Sequence, residues 1–183
     1  MRYAPPPQSL FVAARKRLRA LLPKDAAAIL HSNDIYPTNA DGSMNFVQNS
    51  DLFYLSGVDQ EESILVIFPA APDEKMREML FLRETSEAIA IWEGEKLTKE
   101  QAAERSGIPV TSVFWLGEFE RMLKAVMAYA KSVFLNTNEH ARSTSEVETR
   151  ELRFIRRCQH EFPLHRYERL SPLMHDLRVV ETA

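Results

Sequence analysis

The longest apolar runs in this chain, such as Ile64–Phe68, are bounded by turn residues and fall far short of the ~20 residues that span a bilayer. Runs of that length between turns read as β-strands. Between them lie segments whose apolar residues recur at offsets of three and four, the period of an amphipathic helix. This interleaving is the strongest constraint on the fold, and it selects an α/β architecture, a mixed sheet flanked by helices. At 183 residues the chain fits one sizeable domain, large enough to fold without disulfides or metals.

The periodicities predict a helix from Gln8 to Leu22, stopped by Pro23, and a buried strand at Ala26–His31. Asn33 to Ser43 is rich in turn formers and reads as a long exposed loop. Strands are expected at Leu52–Ser56, Ser63–Phe68 and Glu78–Arg83, joined by turn segments as an antiparallel meander. Thr98 and Gln101 match a capping box that opens a short helix ending at Gly107. After a short strand at Thr111–Trp115, a helix from Gly117 to Lys131 places Phe119, Met122, Leu123, Val126, Met127 and Ala130 on one inner face. A strand follows at Val133–Asn136. A second capping box, Ser145 to Glu148, opens a helix to Glu161 whose buried face carries Val147, Phe154, Ile155 and Cys158. Ser171-Pro172 starts a last helix that ends near Arg178.

A net charge of -3 and a pI near 6.0 give no pull toward nucleic acid. The basic cluster Arg15, Lys16, Arg17, Arg19 and Lys24 reads as the solvated face of a helix whose apolar residues are Leu10, Ala14, Leu18, Leu21 and Leu22. With Cys158 as the only cysteine an internal disulfide is impossible, and a cytoplasmic location is expected. The first seven residues lead into a charged helix instead of the apolar core of a signal peptide, and no membrane partner is expected.

The sequence offers no candidate for catalytic chemistry. His160 and His165 superficially resemble a zinc-protease pair, but their spacing rotates them roughly 140° apart on a helix, and Pro163 lies between them. Five glycines leave little material for a phosphate loop. Cys158 falls on an apolar stripe and reads as a core residue rather than a nucleophile beside His160. Glu61 with Glu62, and Glu93 with Glu95, read as solvated charges. No catalytic residue and no metal ligand is therefore assigned.

Three stretches carry a resemblance. Asn45 to Gly57, with Asn49-Ser50-Asp51 at its centre, resembles the phrase Arg-Gln-Asn-Ser-Asp, two aromatics, a tyrosine-rich strand and glycine of Xaa-Pro aminopeptidases of the creatinase/prolidase type. Physically it reads as a polar turn whose side chains bond the backbone, then a strand closed by Gly57. Val47 stands where that family usually has a basic residue. At the expected distance, Phe81-Leu82-Arg83 and Ile91-Trp92-Glu93-Gly94-Glu95-Lys96-Leu97 resemble the family's strand, loop and Ile-Trp-x-Gly-x-x-Leu element. His175 to Glu181 resembles the segment that joins the two domains of these enzymes. Between about Ser106 and Leu170 only the order of elements agrees.

The resemblance implies a ribonuclease H-like N-terminal domain, a mixed sheet with helices on both faces, spanning residues 1–170 and followed at 171–183 by the start of a connection to a catalytic pita-bread domain. Such a domain serves homo-oligomer contacts and substrate access and is inactive alone. In the family, two divalent metal ions, usually manganese, activate a bridging water in the catalytic domain. The parent enzyme releases an N-terminal residue that precedes proline, so proline-containing peptides are the implied substrates. The family's Ile-Trp element implies that Trp92 reaches the active site of a neighbouring subunit, where an indole offers a flat apolar surface to a proline ring; the alternative is a half-buried packing residue. Leu173, Leu177, Val179 and Val180 are expected to form an apolar patch that packs on the catalytic domain and otherwise drives self-association. The rival functional expectations are a freestanding binding or oligomerisation module and, on the His160 and His165 region, a self-contained hydrolase.

Overall fold

In a computed structural model of the protein, residues 6–179 are described, apart from 87, 89, 92 and 93. Six strands, β1 (Ala26–His31), β2 (Ile64–Ile67), β3 (Glu78–Leu82), β4 (Val113–Trp115), β5 (Ser132–Leu135) and β6 (Arg166–Arg169), form one mixed sheet in the order β4-β3-β2-β1-β5-β6. The pairs β1–β2 and β2–β3 are antiparallel, with Ile29 opposite Val66 and Val66 opposite Met79. The pairs β3–β4, β1–β5 and β5–β6 are parallel. The main helices are α1 (Gln8–Leu21), α2 (Ser50–Ser56), α3 (Lys99–Ser106), α4 (Phe119–Tyr129), α5 (Arg150–Glu161) and α6 (Ser171–Val179).

Alternation of side chains along each strand builds two cores. Ala27, Ile29, Val66, Met79, Phe81 and Val133 face α4 and α5, while Ala28, Leu30, Leu65, Ile67, Leu80 and Leu82 face α1, α2, α3 and α6. Helices thus cover both faces, as expected, and all six inner-face residues assigned to α4 and the residue after it are buried. The Thr98 capping box is present with both reciprocal hydrogen bonds.

Several expectations are corrected. Leu52–Ser56 is the body of a helix, not a strand: the Asn49 side-chain oxygen accepts from the Asp51 and Leu52 amides at 3.0 and 3.2 Å, and Gly57, at φ 68°, ends it in the left-handed region. The meander is consequently β1-β2-β3. The α5 helix begins at Arg150 with Thr149 as its cap: the Thr149 hydroxyl accepts from the Leu152 amide and Asp34 accepts from the Arg150 amide at 2.7 Å; Ser145 instead donates to the Val147 carbonyl, and Val147 is exposed. The apolar stripe of α1 runs through Phe11, Ala14, Leu18 and on to Leu22, with Leu10 and Leu21 exposed. Arg15 lies on that stripe and is buried, its guanidinium bonded to Glu78 at 2.8 Å and to the Leu55 carbonyl at 2.7 Å. The charged strand β6 has no apolar run to mark it and was not expected. Leu177 is buried in the core beside α1 and Leu173 packs against it, leaving Val179 exposed; Val180 lies outside the described residues.

Candidate functional site

The parallel strands β1, β5 and β6 end on one side of the sheet, and a cleft of about 1000 Å³ lies beyond their carboxyl ends. Open α/β sheets bind ligands in this position, because the loops leaving neighbouring strands diverge there. Ser32, Asn33 and Asp34 follow β1, Asn136 and Thr137 follow β5, and α6 starts directly after β6. The loop expected at 33–43 is folded back as a small hairpin, with the Met44 amide bonded to the Tyr36 carbonyl at 2.8 Å. Tyr36, Met44 and Val47 stand exposed on its rim, and Asn33 holds the Val47 carbonyl at 2.9 Å.

Asn49-Ser50-Asp51 forms part of the cleft wall. Beyond capping α2, Asn49 donates from Nδ2 to Glu151 Oε1 at 2.9 Å, which ties α2 to α5. Asp51 accepts from Asn136 Nδ2 at 2.9 Å and meets Arg178 Nη2 at 2.5 Å, which ties α2 to the end of β5 and to α6. Arg178 also lies over the Tyr54 ring, 5.4 Å from its centroid. Asp34 pairs with Arg153, and Arg169 of β6 holds Glu139. Burial, followed by the charge of Asp51, pushes the Glu151 carboxyl up to about 8, against the opposing hydrogen bonds from Asn136 and Asn49. The Arg169 guanidinium keeps Glu139 below the usual carboxylate range. Both carboxyls of the inner cluster are engaged by amides or a guanidinium, an arrangement that fixes four elements to one another.

The resembling stretch from Asn45 thus reaches further than the backbone turn expected of it. Asn136, Glu151 and Arg178 were not identified as site residues. The signal for Asn136 is a polar residue set directly after an apolar strand; Glu151 and Arg178 sit on helices whose sequence gives no sign of where they converge.

The other singled-out residues lie elsewhere. Trp92, together with Glu93, lies outside the described residues. Beyond it, Lys96 pairs with Glu61 and the Leu97 amide donates to Gln60 at 2.8 Å, along a second cleft lined by Gln60, Ser86, Leu97 and Gln101. Glu62 faces Arg83 at 3.3 Å, so neither member of that acidic pair is simply solvated. His160 is exposed on the last turn of α5, whereas His165 meets the Met127 carbonyl at 2.7 Å, past the helix end. Cys158 is fully buried, and burial pushes its thiol up to about 12, as befits a core residue. Among the described residues no group of three His, Cys, Asp or Glu is placed to hold a metal ion, and no helix is long and apolar enough to cross a membrane.

Comparison with known proteins agrees with this fold. The mitochondrial intermediate cleaving peptidase 55 of Arabidopsis thaliana is 24% identical over 172 residues, which are 94% of this chain and 32% of that protein. An Xaa-Pro aminopeptidase of Escherichia coli is 28% identical over 98 residues, covering 54% of this chain and 22% of its own length. The chain therefore spans about a third or less of these relatives. Among solved structures, a putative aminopeptidase P from Bacillus anthracis superposes with a TM-score of 0.83 at 24% identity, over 95% of this chain and 41% of that one. Aminopeptidase PepP of Pseudomonas aeruginosa gives a TM-score of 0.76 at 21% identity, over 93% of this chain and 38% of its own. The family model for the N-terminal domain of aminopeptidase P matches residues 11–134, a stretch that carries the capped helix α2, the antiparallel strands and most of the sheet, and this chain belongs to that family.

Proposed function

We propose that the chain is the non-catalytic N-terminal domain of a metal-dependent Xaa-Pro aminopeptidase, and that it serves oligomer contacts and substrate access while a following domain performs the hydrolysis. The observation that carries this reading is the coincidence of the family match with the cleft: residues between Asn45 and Asp51 line it, and Asn49 and Asp51 bond to Glu151, Asn136 and Arg178 of the same chain. Two divalent metal ions, manganese by the resemblance, would act in the following domain. The described residues here offer no ligand set that fits them, and no step of hydrolysis is derived through this chain. A homo-oligomer in the cytoplasm is the setting proposed.

Trp92 is proposed to contact substrate in a neighbouring subunit's active site, closing on the proline ring of an Xaa-Pro peptide. In the full-length enzyme, Trp92→Ala is expected to lower kcat/KM for Xaa-Pro peptides about tenfold, the loss of roughly 1.4 kcal/mol of transition-state binding, while metal content stays unchanged. Unchanged kinetics would remove the role.

A further inference from the structure

Asp51 on α2 and Glu151 on α5 bring two carboxyl groups to one polar cluster in the cleft wall. The donors reaching it are few. Asn49 Nδ2 serves Glu151, Asn136 Nδ2 serves Asp51, and Arg178 serves Asp51. Asn136 Oδ1 is buried and has no hydrogen-bond partner, so the cluster holds an acceptor for which no donor is in place. The remaining charges around the cleft do not correct the imbalance. Asp34 takes Arg153 and the Arg150 amide, and Glu139 takes Arg169. His140, His175 and Asp176 stand exposed on the cleft lining, and Arg150 bonds Ser32 at 3.4 Å.

We propose that a proton held on Glu151 closes this cluster and makes it a pH-sensitive clasp joining α2 to the first turns of α5 across the cleft. The proton supplies the donor that the cluster lacks and removes one of two facing negative charges. Without it, two carboxylates face a single guanidinium, and the start of α5 releases from α2 together with the 137–149 segment that leads into it. The direction of the Glu151 shift, upward to about 8 through burial and Asp51, agrees with this geometry. A carboxyl raised in the folded state gives its full stabilisation below its unfolded value of 4.5. That stabilisation is lost as pH rises to about 8 and is absent above.

Hydrogen exchange of the Arg153 and Phe154 amides tests the clasp. Their protection factors, corrected for intrinsic exchange, are expected to fall about tenfold between about pH 6.5 and about pH 7.5 and to level off above about pH 8. Glu151→Gln, neutral throughout but still able to hydrogen-bond, is expected to keep high protection with no such fall. A wild-type profile without the fall, or the same fall in E151Q, overturns the proposal. The comparison also separates Glu151 from His140 and His175, which both proteins retain. If E151Q does not fold, a carbon-NMR titration of the Glu151 carboxyl in the wild type decides: a midpoint near 8 supports the clasp, and one near 4.5 overturns it.

Discussion

His31 is a polar residue buried in an aromatic part of the core. It is 5% exposed, its ring lies 4.2 Å from Phe154 and 5.9 Å from Phe119 between centroids, and neither ring nitrogen has a partner. Burial first, then the charges of Arg150 and Arg157, lower its pKa from 6.5 to about 3. Because the folded value is depressed, the unfolded chain takes up the proton first. The stability present above pH 6.5 is lost as pH falls, by up to ~1.4 kcal/mol per unit. His31→Leu removes two orphaned polar atoms from an aromatic setting and is expected to stabilise the protein by about 1–3 kcal/mol. It should also abolish this acid slope. Urea unfolding at pH 5 and pH 7 checks both; an unchanged slope in H31L would place the acid sensitivity elsewhere.

At the scale of elements, helix ends decide what apolar pattern alone leaves ambiguous. Leu52-Phe53-Tyr54-Leu55 has the composition of a strand, yet Asn49 and Gly57 cap it at both ends as a helix. Gly57 does more than permit a turn: a Cβ there would meet the Phe11 ring of α1 at 2.3 Å. Gly57→Ala is therefore expected to cost about 2 kcal/mol or more, from left-handed backbone strain with the displacement of Phe11 added. Thermal unfolding measures it, and a loss below about 0.5 kcal/mol would show that α1 and α2 adjust freely. Some elements were legible in the sequence: α4 from its apolar stripe, α3 from its capping box, β1 and β2 from their apolar runs. The rest depended on partners distant in sequence. Arg15 reads as surface until Glu78 and the Leu55 carbonyl are placed beside it. The strand β6 is charged throughout apart from Tyr167 and is recruited by pairing with β5. The cleft cluster likewise joins Asn49 and Asp51 to residues 85 to 127 positions away, a convergence that no local pattern encodes.

For the whole molecule, the sheet has both faces covered, and its two edges are a three-residue strand and a charged one, neither inviting further strand pairing. The described residues build a stable frame around a cleft without assembling ligands for a metal pair. The family match and the partial coverage of longer relatives support the proposed division of labour between this domain and a catalytic one. Incubating the purified chain with an Xaa-Pro peptide and manganese tests that division most directly. No release of the N-terminal residue above the buffer rate is expected, and appreciable hydrolysis by this chain alone would contradict it.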